Sequence, residues 1–95
     1  MNDINYKFDE PRLLQEIKEY IDGTYDQHYS KTKFQSMEFT IDAGHGMGFS
    51  LGNVQKYTKR YGEKDGYNRK DIMKIIHYGI LALYVHDLEH GETTE

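Results

Sequence analysis

Two short runs in this 95-residue chain hold polar side chains at spacings that suit ligand chemistry. Asn53, Lys56 and Arg60 stand at i, i+3 and i+7, which on a helix puts an amide and two cations on one face. Asp71, Lys74 and Tyr78 repeat that spacing eighteen positions later, and Lys64 lies between the runs. If both runs are helical and joined as an antiparallel hairpin across the turn EKDGYN (63–68), the two stripes converge. The cleft so formed combines two or three cations with one amide, one carboxylate and one phenol. Cations of this kind hold phosphate groups, while an amide and a phenol fix orientation. A lattice of surface ion pairs, each worth under ~1 kcal/mol, fits the same spacing.

Other constellations are less specific. The stretch GHGMGFSLGN (44–53), which includes Gly48, is no P-loop, because no Lys-Ser or Lys-Thr follows its glycines. It also misses GxGxxG, since the third position falls on Phe49 or Leu51. What remains is either a tight connection or small residues before a helix whose first amides face an anion. His86 and His90 have a metal-binding spacing, but Asp87 points a quarter-turn away and no HExxH is present, so no metal site is expected. Glu38 and Asp42, at i and i+4, match the carboxylate pairs that hold Mg²⁺ in all-α nucleotide pyrophosphohydrolases. Such chemistry needs a second pair, and the last helix offers only Asp71 near its start.

Charge is distributed unevenly. Residues 50–75 carry seven basic and three acidic groups, whereas residues 76–95 carry four acidic and no basic ones. Residues 1–49 carry five basic and nine acidic groups. A basic middle between acidic flanks suits a small anionic ligand and disfavours duplex nucleic acid as a partner. The chain has no cysteine, so disulfide and thiolate chemistry is excluded. No apolar run approaches the ~20 residues of a membrane span, and no signal segment opens the chain. A cytoplasmic location, with no membrane partner, is the expectation.

The elements that must position these side chains are helices. One all-α domain is expected over residues 11–90, between an arm at 1–10 and a tail at 91–95. The first helix starts at Pro11, buries Leu13, Leu14, Ile17 and Ile21, and stops at Gly23 as a left-handed cap. Residues 24–32 read as a loop. A second helix runs from Lys33 to near Gly44, with a strand at 38–42 as its competitor. A turn over 44–48 precedes a third helix from Phe49 to Tyr61, whose core side is Leu51, Val54, Thr58 and Tyr61. Asn68 caps the last helix, whose stripe Ile72, Ile75, Ile76, Gly79, Ile80 and Leu83 is widened by Met73, Leu81, Tyr84 and Leu88. Cover on so many sides calls for a second subunit, so the small four-helix bundle is expected to be completed by homo-oligomerisation.

Taken together, Gly48-Phe49, Gly52-Asn53, Lys56-Tyr57, Arg60, Lys64, Asp71-Ile72, Lys74 and Tyr78 resemble a small tailed-phage protein family. That family's pattern is GN-x-x-KY-x-x-R, a Lys shortly after, then D-[LI]-x-K-x-x-x-Y. It also carries an upstream His-Tyr pair, matched by His28-Tyr29, and the resemblance spans residues 24–88. One member is a phage nucleotide kinase without a Walker motif that phosphorylates dGMP and dTMP. The resemblance thus implies nucleotide binding at the cleft and, for an enzyme, phosphoryl transfer with ATP and Mg²⁺. On that reading Lys56, Arg60 and Lys64 hold phosphates, assisted by Lys74, while Asn53 and Tyr78 orient base or sugar. Asp71 either holds Mg²⁺ or orients a cation, and His28-Tyr29 come over the site. Two other readings stay open: a non-enzymatic binder that sequesters a nucleotide signal of host defence, and a helical interaction protein acting through its tyrosine-rich surface.

Overall fold

The computed structural model describes residues 3–27 and 30–91. It is all-α, with α1 at Glu10–Tyr25, α2 at Ser30–Asp42, α3 at Gly46–Arg60 and α4 at Arg69–His90. The pair His28-Tyr29, expected over the site, lies outside the described residues.

Most tertiary contact lies between α3 and α4, which form the expected hairpin. Two small residues let them approach closely. Gly46 is buried so tightly that a Cβ there would sit 3.0 Å from both Ile41 Cγ1 and Val85 Cγ2. One turn on, Ser50 is fully buried, and its hydroxyl donates to the Gly46 carbonyl at 2.8 Å. Opposite them on α4, Val85 is 1% exposed.

The turn joining the two helices is set by local chemistry. Tyr61 is extended and Gly62 takes φ 88°, a left-handed conformation natural only to glycine. A Cβ on Gly62 would also meet the Tyr67 ring at 2.7 Å. The Asn68 side chain then accepts the Lys70 amide at 3.0 Å, capping α4 as its sequence implies.

Several boundaries differ from the sequence expectation. Gly23 does not end α1, which continues to Tyr25. A helical glycine costs only ~1 kcal/mol. The extra turn buries Thr24 and stacks Tyr25 on Phe34, ring centroids 4.4 Å apart. The expected loop at 24–32 is correspondingly shorter, since α2 already begins at Ser30. The stop near Gly44 is as read: Gly44 has φ 88°, its amide donates to Ile41 O, and the His45 amide donates to Thr40 O. This pair of bonds is a Schellman closure. α3 begins three residues earlier than Phe49, so Gly46 and Gly48 belong to its first turn.

The core side of α3 is also corrected. Leu51, Thr58 and Tyr61 are exposed, whereas Gly46, Ser50 and Tyr57 are buried. Close helix approach at Gly46 and Ser50 selects the face, and the stripe bearing Asn53 and Arg60 turns towards α4.

α1 and α2 lean on this hairpin more loosely. Of the apolar positions on α1, Ile17 is buried while Leu14 stays exposed. Glu16 pairs with both terminal nitrogens of Arg69 at the start of α4, an arrangement that holds the Glu16 carboxyl below its ordinary value. The whole is open: the radius of gyration is 15.3 Å, against about 12 Å for a compact chain of this length. No described helix is long and apolar enough to cross a membrane.

Candidate functional site

The two stripes meet, and Tyr57 is where they do so. It lies between Asn53 and Arg60 on the α4-facing side of α3, and its ring is buried. The Tyr78 ring of α4 lies nearly parallel to it, centroids 6.0 Å apart and planes 12° off. Phe49 meets Tyr78 edge-on from the other side, at 6.0 Å. Three aromatic rings thus make a rigid floor across the helix pair.

Three cations gather on this floor. Lys56 Nζ is 4.9 Å from the Tyr57 centroid, Lys74 Nζ 5.2 Å and Arg60 Cζ 5.7 Å. Each is within the range of a cation–π contact, worth about 0.5–1 kcal/mol at exposed sites. Arg60 Nε is 3.8 Å from Asp71 Oδ1, and its terminal Nη2 is 3.8 Å from Asp65 Oδ2. Among the described residues, Lys56 and Lys74 form no ion pair. Like charges held this close repel one another, so the group is better suited to holding an anion than to bracing the fold.

Asp71 is the unusual member. It is 3% exposed, and its Oδ2 has no hydrogen-bond partner. A buried carboxylate with an oxygen left unsatisfied is costly and marks a site of interest. Among the described residues its one ion pair is with Arg60, so that guanidinium is the charge set against it.

Other sequence-selected residues fall differently. Asn53 lies beside the floor and donates one amide N–H to Phe49 O at 2.9 Å. Lys64 is exposed in the turn and makes none of the contacts with Tyr57. Gly48 stands eight positions before Lys56, roughly 12 Å along the helix axis, and open space lies beyond its Cα. Neither belongs to the cationic group. Tyr57 was the residue missed: it sits four after Asn53 and three before Arg60, so the helical spacing already carried the signal.

The phenols form a wider cluster. Burial pushes Tyr20 and Tyr78 up, each further raised by neighbouring Tyr57, and Tyr78 also by Tyr20. His77 packs edge-on against Tyr20 at 6.0 Å, and burial, then Lys33, lowers its pKa. Tyr78 also borders a mostly apolar recess of about 460 Å³ against α1 and α2, lined by Tyr25, Phe34, Met37 and Leu81 among others. This recess is not the cationic site; the two share only Tyr78. Glu38 lines the recess, and no group of three His, Cys, Asp or Glu side chains gathers to hold a metal among the described residues.

The fold and site thus define a class: a small all-α protein with three cations gathered around a buried tyrosine, contributed by the two helices of a hairpin. The chain belongs to the family described as protein of unknown function DUF3310, which matches residues 24–79. That span contains every candidate site residue, from His28 to Tyr78. No curated protein and no solved structure matches the chain.

Proposed function

We propose that the α3–α4 cleft binds a small phosphate-bearing ligand, most simply a nucleotide. The observation that carries this reading is the convergence of Lys56, Arg60 and Lys74 on the Tyr57 ring, with both lysines free of ion pairs among the described residues. Lys56 and Lys74 meet the phosphate as point charges, and Arg60, paired with Asp71, supplies a planar two-pronged donor. The carbonyl of Asn53 and the phenol of Tyr78 orient the remainder of the ligand.

The resemblance to tailed-phage proteins supports a place in phage nucleotide metabolism, with nucleoside monophosphate kinase activity as the enzymatic form. In that form positioning and charge neutralisation are the protein's task. The acidic residues near the cleft do not fit Mg²⁺ ligation: Asp71 is buried beside a guanidinium, and Asp65 is engaged with the same group. The donor set therefore favours capture of a nucleotide over turnover, including sequestration of a signalling nucleotide.

The test is a thermal-shift and calorimetric screen of mono-, di-, tri- and cyclic nucleotides, with dGMP and dTMP included. A ligand at 100 times its Kd stabilises by about 2.7 kcal/mol. Binding should be lost in Lys56→Ala/Arg60→Ala, and no binding by any phosphate compound sinks the proposal. Incubation with ATP and a bound monophosphate separates the forms: a diphosphate product establishes the kinase, and intact recovery establishes capture.

A further inference from the structure

α4 carries an apolar stripe on the side away from α3 that α1 and α2 cover only in part: Ile72 and Ile76 border Leu13 and Ile17, and Ile80 borders the larger recess, yet all three stay exposed. Ile72, Ile76, Gly79 and Leu83 follow one another at steps of four, three and four, the spacing of a seam between paired helices. Ile72 is 40% exposed, Ile76 41%, Ile80 on the flank 47% and Leu83 63%. Leu13 of α1, also exposed, extends the patch beside Ile72. Gly79 has nothing within 4 Å of where a Cβ would stand, so another backbone can come close there.

We infer that this face binds a second copy of the chain, with the two α4 helices antiparallel about an axis between His77 and Tyr78. Two observations select this occupant. The first is area. The chain exposes 7499 Å², against roughly 5,700 Å² for a folded monomer of 11.2 kDa. Part of the excess belongs to the extended segment 3–9, yet the excess is about twice the ~800 Å² that each partner contributes to a standard interface.

The second is charge. α4 begins with Arg69 and Lys70 and ends with Asp87 and Glu89, and its helix dipole carries the same signs at the same ends. A parallel pair sets like against like. An antiparallel pair sets the basic start of one helix beside the acidic end of the other, and the same face is used twice, as a two-fold interface requires. In this register Ile72 lies opposite Leu83 of the copy, and Ile76 lies over Gly79. The cationic group is on the opposite side of α4 and stays open to ligand, so this pairing is independent of the nucleotide proposal.

Light scattering after size exclusion tests it. The chain is expected to have twice the 11.2 kDa mass at 100 µM. Leu83→Glu should halve that mass with helicity unchanged, because Leu83 is largely exposed within its own chain. Ile76→Gln is the second, milder variant and should weaken association at least tenfold. A monomeric wild-type chain at 100 µM overturns the inference and leaves the face to a different partner. So does a dimer unaffected by both substitutions. Orientation is read by oxidation, since the chain has no cysteine of its own. Ile72→Cys mixed with Leu83→Cys should cross-link, and neither should do so alone. Self-linking of Ile72→Cys would mean a parallel pair and overturn the arrangement.

Discussion

The two long faces of α4 invert the usual rule of burial. The face against α3 carries Asp71, Lys74 and Tyr78, and Asp71 is nearly as buried as Val85 further along. The opposite face carries Ile72, Ile76, Ile80 and Leu83, all exposed. A helix serving only its own fold would turn the isoleucines inward. The difference teaches that close approach of α3, and not hydrophobicity alone, decides which side of α4 is buried. The inner face is tolerable because Gly46 and Ser50 bring α3 close and the Tyr57 and Tyr78 rings bury apolar area between charges.

Substitutions that break this contrast can be ranked by effect. The largest belongs to the inner face. Removing both cations in Lys56→Ala/Arg60→Ala should weaken binding of a phosphate ligand by more than about a hundredfold, since each charged hydrogen bond contributes about 1.5–3 kcal/mol. Isothermal calorimetry measures it. Next, Gly46→Val drives a branched side chain into Ile41 and Val85, and overpacking of this kind costs about 1–3 kcal/mol. A lowered urea midpoint checks it, and an unchanged midpoint would mean that α3 is not seated on α4 as described. Asn68→Ala removes the cap of α4 and should cost about 1 kcal/mol in the same assay.

A smaller effect concerns His77, whose pKa burial lowers from 6.5. The unfolded chain then binds a proton that the fold resists, so stability is fully present above pH 6.5 and falls as the pH drops below it. His77→Gln should flatten this slope between pH 7 and 5 in chemical denaturation. The smallest effect is on the outer face. Leu83→Gln should change the folding stability of the isolated chain by no more than about 0.5 kcal/mol at dilute concentration, because Leu83 is largely exposed. A large loss there would mean that the apolar stripe serves the chain's own core.

Much of the site could be read before the fold was known. The spacing 53-56-60 and 71-74-78, with Asn68 as cap and Gly62 as stop, is enough to draw two helices and a short turn. What escaped was the partner of each face. On α3 the apolar positions Leu51 and Tyr61 looked like core, but packing was decided by two small residues that carry little hydrophobic signal, Gly46 and Ser50. Gly23 looked like a terminator, but the Tyr25–Phe34 stack outweighs its modest helical penalty. Gly48 and Lys64 shared the motif yet stand away from the Tyr57 floor, because sequence proximity does not fix which side of a turn a residue takes.

The sequence by itself determined the all-α class, the hairpin, the cap at Asn68 and the uneven distribution of charge. These depend on local propensity, helical periodicity and turn chemistry, which act within a few residues. Only the tertiary structure decided that Tyr57 is the buried ring on which Lys56, Arg60 and Lys74 meet while Lys64 does not, and that Ile72, Ile76 and Ile80 of α4 stay exposed. Those outcomes depend on how closely two helices can approach, and that distance is set jointly by residues far apart in the chain.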